Sequence, residues 1–430
     1  MSITATLVIS FFVLGFLNVP IAVALGLSSC LCLVQFGLDM SILPTQVYSG
    51  IAKFLLLAVP FFILSGNIME KSGISDKLIR FFKALIGHRK GGLAIVAVVA
   101  SCFFAAISGS GPATVAALGS FLIPAMARDG YGKEFPSALL ATSGSIGTII
   151  PPSIPFVMYG LVTGVSITNL FMAGIIPGLL FGAALIIVSL IMIRKWDIKQ
   201  EEKASAKEVW AAFVDAVPAI LMPVIILGGI YSGIFTPTEA AAVACVYGIF
   251  VGILIYKTVR LKELYELFRS SVVGSGNIML IIAGASLFAW FCSTSGITQT
   301  CSELIASVSG NQVTFLLLVN IILLIAGCFV DSTSAIYILC PIIVPVAKEL
   351  DYDLVALGVV FIVNLAIGNV TPPVGLNLFV ACSIGDVTVT GICKKVWPLI
   401  LASLVILLLV TYIPTISLFL PNLFYGSTGG

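Results

Sequence analysis

Apolar residues fill this chain in runs long enough to cross a bilayer, and polar residues fall between the runs or, in a few places, inside them. About 20 consecutive apolar residues make a transmembrane helix. The pattern predicts spans at 3–17, 20–37, 50–70, 134–165, 168–193, 211–231, 236–256, 273–293, 353–384 and 397–420. Two of these runs carry versions of one short segment, Ile146-Gly147-Thr148-Ile149-Ile150-Pro151-Pro152 and Ile367-Gly368-Asn369-Val370-Thr371-Pro372-Pro373, set 367 − 146 = 221 residues apart. A Pro-Pro pair withholds two backbone donors and disfavours helix in the residue before it, so each run must break. Unpaired peptide groups cannot face lipid, so two matched breaks imply unwound backbone around a protected polar cavity, as in secondary transporters.

Two further stretches, 92–127 and 313–347, are too long for one helix and too interrupted for two full spans. Each holds a small polar cluster at its middle: Ser108-Gly109-Ser110-Gly111-Pro112 in the first, Asp331-Ser332-Thr333-Ser334 in the second. They read as re-entrant hairpins whose tips stop at membrane depth.

Charge tests this map. The loops at 71–90, 128–134, 194–208, 257–269 and 385–395 hold 19 of the 21 Lys and Arg residues, leaving Lys53 and Lys348 elsewhere. With the N-terminus outside and neither hairpin crossing, all five loops lie on one face, which the excess of basic residues marks as cytoplasmic. The first hairpin then enters from inside and the second from outside, which is inverted symmetry. At an offset of 221, Leu118 pairs with Leu339, Pro124 with Pro345 and Tyr131 with Tyr352; upstream, Ser72-Gly73-Ile74 matches Ser295-Gly296-Ile297 at 295 − 72 = 223. The chain divides as a first repeat at 1–193, a Lys- and Glu-rich linker at 194–210 and a second repeat at 211–430. Residues 92–165 and 313–384 would form a carrier moving against a scaffold of the other spans. Segment 75–87, with Leu78, Phe81, Phe82 and Leu85 at helical spacing, reads as an interfacial helix, and 259–269 repeats the style.

Composition agrees with a polytopic membrane protein. Charged residues are 9% of the 430, against about 25% in soluble domains, and 60% are hydrophobic. The net charge of +2 is spread over short loops and forms no patch for nucleic acid. No Lys or Arg precedes Lys53, so the apolar start lacks the basic region of a cleaved signal peptide and reads as a retained span. Ten cysteines lie scattered in apolar runs without CxxC spacing, which suggests neither disulfides nor a metal site. An enzyme is poorly supported: the single histidine, His88, sits beside Arg89 and Lys90 in a basic loop, and no Walker A motif or Ser/His/Asp set is in place.

The hairpin tips carry more chemistry. Half-helices ending at depth leave N–H groups that favour a carboxylate and carbonyls that favour a small hard cation. Ser108, Ser110 and Thr114 take this position in the first tip, with Ser143, Ser145 and Thr148 near the first break; Ser332, Thr333 and Ser334 stand with Asn364, Asn369, Thr371 and Asn377 in the second half. Hydroxyls in membrane helices often bond back to their own backbone, but their gathering at both tips and both breaks favours a site. Asp331 at mid-membrane needs a partner. It either caps the following helix, ligates a cation, or does both.

Gly233-Ile234-Phe235-Thr236-Pro237-Thr238-Glu239-Ala240-Ala241-Ala242, with Ser108 to Thr114 and Thr371-Pro372-Pro373-Val374-Gly375, resembles the large membrane subunit of tripartite ATP-independent periplasmic (TRAP) transporters over nearly the whole chain. The resemblance implies an all-α polytopic fold of two inverted repeats with re-entrant hairpins and broken helices, working as an elevator. It implies sodium-coupled import of a carboxylate at the bacterial inner membrane, with a periplasmic binding protein and a separate small four-helix membrane subunit as partners. Two or more Na+ ions would be held by Ser108, Gly109, Ser110 and Gly111 with Gly144, Ser145, Gly147 and Thr148, and by Asp331, Ser332, Thr333 and Ser334 with Gly368, Asn369, Val370 and Thr371. Substrate is expected between the tips, against Ser110, Thr114, Pro151, Ser153, Ser334, Pro372 and Asn377. The family handles dicarboxylates, keto acids, sugar acids and sialic acid; general likeness leans to sialic acid. An uncoupled channel and an intramembrane enzyme are the alternatives.

Overall fold

A computed structural model describes residues 3–200 and 202–426; residues 1, 2, 201 and 427–430, which the predicted halves and linker include, lie outside the described residues. The chain opens with α1 (Ile3–Phe16), α2 (Ile21–Gln35), α3 (Ile42–Ile51), α4 (Ala58–Lys71) and α5 (Ile74–Ile86). The first hairpin follows as α6 (Gly92–Ser108) and α7 (Gly111–Met126). Next come α8 (Glu134–Gly144), the single turn α9 (Ile146–Ile149), α10 (Ile154–Thr163) and α11 (Ile167–Ile193). After the linker come α12 (Ala206–Tyr231), α13 (Pro237–Phe250), α14 (Leu261–Thr294) and α15 (Ile297–Ser309). The second hairpin is α16 (Gln312–Phe329) and α17 (Ser332–Glu349), followed by α18 (Leu354–Gly368), α19 (Leu376–Gly385), α20 (Val389–Tyr412) and α21 (Thr415–Tyr425).

The two Pro-Pro breaks are where the sequence puts them. Helices α8–α9 and α10 meet at a 41° bend across Ile150–Ser153, and both Pro151-Pro152 and Pro372-Pro373 are cis. The hairpin arms are 16 to 18 residues long, so each is about 24–27 Å. The two 18-residue arms of the second hairpin are by length and composition just able to cross a membrane, whereas α6 at 17 residues is shorter. The Thr-Pro-Thr-Glu signature is a helix start. Thr236 Oγ1 accepts from the Glu239 N–H at 3.3 Å, Glu239 Oε2 accepts from the Thr236 N–H at 2.8 Å, and Pro237 opens α13 where no intrahelical donor is needed.

Packing interlocks the two halves. Helix α7 packs on α19 and α17 packs on α10, so each hairpin's returning arm lies on the post-break half-helix of the other repeat. The same exchange relates α8 on α20 to α18 on α11, while α11 packs directly on its counterpart α20. Helices α11 and α20, which the sequence reading left outside the hairpin and broken-helix segments, therefore pack directly on α18 and α8. Sequence hydropathy says nothing of partner choice, which explains that difference.

Several boundaries also differ. The segment 259–269 is not a separate surface helix but the start of α14, whose 34 residues run unbroken from Leu261 to Thr294, because no proline intervenes. The counterpart of α5 is instead α15, and both begin after a glycine in the left-handed region, Gly73 at φ 72° and Gly296 at φ 75°. Span 50–70 is interrupted at Ala52-Lys53 and preceded by the unforeseen α3, while 397–420 divides at Pro414 into α20 and α21.

Helix α16 meets α18 backbone to backbone at Gly327 and Gly368. A Cβ at 368 would stand 2.5 Å from the Gly327 Cα, whereas one at 327 would stand 3.1 Å from the Gly368 Cα. Overpacking of this kind costs about 1–3 kcal/mol. Gly368→Ala should lower the thermal unfolding midpoint in detergent, and Gly327→Ala should lower it less. Equal midpoints for wild type and Gly368→Ala would show that the two helices can part without penalty.

Candidate functional site

Each tip touches the break of its own half. In the first, the Ile154 N–H donates to Gly109 O at 3.4 Å, and a Cβ on Gly147 would come within 2.7 Å of Ser110 O and 2.5 Å of Thr114 Oγ1. In the second, Asn369 Nδ2 donates to Ser332 Oγ at 3.4 Å. The predicted pairings, Ser108 to Gly111 with Gly144 to Thr148 and Asp331 to Ser334 with Gly368 to Thr371, thus describe neighbours in space.

The first tip is knit from its own hydroxyls. Ser108 Oγ and Thr114 Oγ1 are 2.8 Å apart, and Thr114 Oγ1 donates to Ser110 O at 2.8 Å. Ser110, in an extended conformation at φ −139°, starts α7 and is half-buried; Ser108 and Thr114 are enclosed. Past the break, Ser153 Oγ donates to Thr148 O at 2.6 Å and accepts from the Phe156 N–H, capping α10. Thr148 and Thr371 bond back to the carbonyls of Ser145 and Ile367 respectively. Several hydroxyls at the breaks therefore do brace their own helices, and the carbonyls of Gly109, Ser110, Thr148 and Asn369 likewise accept hydrogen bonds within the protein.

In the second tip Asp331 is the N-cap of α17. Its Oδ2 accepts from the Thr333 and Ser334 N–H groups at 2.9 and 3.1 Å, and Ser334 Oγ donates to Oδ1 at 2.5 Å. This is the capping role that the sequence offered beside cation ligation.

One chain of hydrogen bonds joins the halves. Asn377 Nδ2 donates to Ala141 O at 3.2 Å and to Ser145 Oγ at 3.0 Å, and Ser145 Oγ donates to Ala366 O at 2.8 Å. Ser145 and Ala366 are repeat counterparts, since 366 − 145 = 221. Counterparts that touch must lie beside the pseudo-twofold axis, so the axis passes here. Asn377 is fully enclosed, with its Oδ1 unpaired by any described residue. Of the residues expected around substrate, Thr114, Ser153, Ser334 and Asn377 are buried and bonded within the protein and Pro151 is buried, whereas Ser110 and Pro372 keep some exposed surface.

Of a second polar cluster beside the site, sequence reasoning singled out Asn364 but missed its partners. Asn364 Nδ2 donates to Asn320 Oδ1 at 2.8 Å, Asn320 Nδ2 to Thr411 Oγ1 at 3.2 Å, and Tyr352 OH to Thr411 O at 3.0 Å. The signal was present, since Asn320 is a lone amide inside an apolar helix, but its partners lie 44 and 91 residues away. Missed too was a cavity of about 430 Å³ between the second tip and α14, lined by Cys328, Asp331, Gly375 and Asn277.

Paired hairpins and broken helices, interlocked about an internal axis, define a multi-pass membrane permease. The model of the DctM component of the tripartite ATP-independent periplasmic transporters matches residues 8–416, and the chain belongs to that family as a large permease subunit. It is 44% identical over 400 residues to the C4-dicarboxylate TRAP transporter large permease protein DctM of Pseudomonas aeruginosa, covering 93% of this chain and 94% of that one. It is 39% identical over 381 residues to the sialic acid TRAP transporter large permease protein SiaM of Vibrio cholerae, covering 89% of each. The fold is similar to that of the YdaH transporter of Alcanivorax borkumensis, with TM-score 0.64 and 14% identity over 87% of this chain and 89% of that one. The family is one of transporters of organic acids that work with a periplasmic binding protein and a small membrane subunit.

Losing the amide of Asn377 would leave Ser145 with one partner fewer in a dry interior. An unmade buried hydrogen bond costs about 1–3 kcal/mol. Asn377→Leu should reduce thermal stability in detergent by an amount of that order, and Ser145→Ala combined with it should add less than its separate effect. Fully additive losses would show that the two residues act independently.

Proposed function

We propose that this chain imports an organic carboxylate across the bacterial inner membrane, coupled to sodium, by moving a carrier against a scaffold. Its N-terminus is periplasmic, its repeats are 1–193 and 211–430 joined by 194–210, and its partners are a small four-helix subunit and a periplasmic binding protein. The observation that carries this reading is the pairing of each hairpin tip with an unwound segment of its own half. Unwound backbone exposes carbonyls that a helix would occupy, and hard cations prefer such oxygens. Two equivalent pairings imply at least two Na+ ions. The α7 and α17 N-termini then draw the carboxylate between the tips, helped by the bound cations.

Among named substrates, C4-dicarboxylate belongs to the relative with more identities, 44% against 39%. Sialic acid, the expectation from sequence, is the second arm of the test. Neither arm has an intramembrane arginine to clamp its carboxylate, so helix termini and cations must do the binding.

Uptake in proteoliposomes holding both membrane subunits, with binding protein outside, should require an inward sodium gradient and show a Hill coefficient for sodium above one. Sodium-independent uptake would favour the uncoupled channel, and uptake by the chain without a binding protein would remove that partner. Ser110→Ala and Asp331→Ala should each raise the sodium concentration for half-maximal uptake, by severalfold, with subunit assembly intact. If Asp331 serves only as a cap, Asp331→Asn restores wild-type sodium dependence, since asparagine caps a helix comparably. A cysteine crosslink between α6 and α4 should stop uptake and release it on reduction; full activity while crosslinked would exclude motion between those helices.

A further inference from the structure

The five residues Ser-Gly-Asn-Ile-Met occur twice, as Ser65–Met69 in α4 and Ser275–Met279 in α14. Their spacing is 275 − 65 = 210 residues, not the 221 to 223 of the repeat, so the second copy does not follow from the duplication register. It lies 13 residues, about 20 Å of helix, on the N-terminal side of the position that register would give.

The two copies are in different states. On α4 the run is occupied: the first hairpin tip rests on it, and a Cβ at Gly66 would be 3.6 Å from the Ser108 Cα and 3.7 Å from Ser108 O. On α14 Ser275 is buried and Ile278 and Met279 pack against the core, but Gly276 and Asn277 stand open. A Cβ at Gly276 would meet nothing within 4 Å, and Asn277, an exposed amide in the middle of a 34-residue helix, opens into the cavity of about 430 Å³. Across that cavity stands the second tip, Gly327 to Asp331. An unpartnered amide at this depth is costly unless a partner arrives. The tip has what it lacks: α16 ends at Phe329, and the last carbonyls of a helix are short of donors.

We propose that Ser275–Met279 is the seat of the second hairpin tip. In a closed state the tip crosses the cavity, Gly276 admits its backbone as Gly66 admits that of Ser108, and Asn277 donates to the carbonyls ending α16. The two runs then act as paired stops on the scaffold, one for each hairpin. The inference rests on reading the hairpins as moving parts.

The native Cys328 at the tip makes this directly testable in the full transporter. With the other nine cysteines replaced in an active chain, Asn277→Cys should form an oxidant-driven disulfide with Cys328, read by mass spectrometry of the linked peptide. Its yield should change with sodium and substrate, and it should cut uptake at least tenfold until reduced. Gly276→Leu should assemble normally, because its surroundings are open, yet lose at least tenfold in uptake. No disulfide under any sodium or substrate condition, or wild-type uptake by Gly276→Leu, would overturn the seat. Disulfide formation needs no transport, and sodium-driven uptake by the unmodified chain is measured alongside. Failure of the seat is thereby separated from failure of the transport reading.

Discussion

Every feature of this molecule follows from one constraint: a peptide group within a bilayer must find its hydrogen bond inside the protein. A plain bundle meets it by staying helical throughout. This chain ends helices at depth in four places, two tips and two breaks, and must wrap each end in protein. The interlocking of the halves is the solution. The first tip and break are covered partly by α19 of the second half, and the second tip and break by α10 of the first. Neither repeat encloses its own ends unaided.

That arrangement joins packing to function. The groups that enclose the broken backbone are short: glycines at 147, 327 and 368, and hydroxyls at 108, 114, 145 and 153. Glycine brings backbones within contact, and a hydroxyl returns a hydrogen bond over a small distance. Bulkier apolar side chains would fill the interior but would leave carbonyls and N–H groups nowhere to turn. The polar residues of the site thus belong first to the fold, and any ligand shares groups that structure already uses. The dual position of Asp331, capping α17 at the edge of a cavity, illustrates the overlap.

The breaks and hairpins were legible in sequence because proline, glycine and serine clusters disrupt an apolar run with little ambiguity. The start of α13 was legible too, as a cap motif has a local cause. What escaped were features set by tertiary partners. The continuity of α14 was hidden because its first turns are amphipathic and its last are apolar, so one helix reads as two elements. The allegiance of α11 and α20 could not be inferred, since both are uniformly apolar and hydropathy does not name the surface a helix meets. Among site residues, Ser145 and Asn377 were singled out for ligands, while their bonding to each other and to Ala366 was invisible, because 221 or more residues separate the partners across the axis.

The contact at that axis has a consequence for how such molecules diversify. The hydrogen bond between these counterparts runs one way: Ser145 supplies the proton and Ala366, with no hydroxyl to return it, only its carbonyl. Chemical asymmetry is thus found at the point where geometric symmetry is strictest. A duplicated protein of this kind keeps its internal likeness where backbone conformation demands it, as at Gly147 and Gly368 just beyond the axis, and diverges at neighbouring positions whose side chains bond across it.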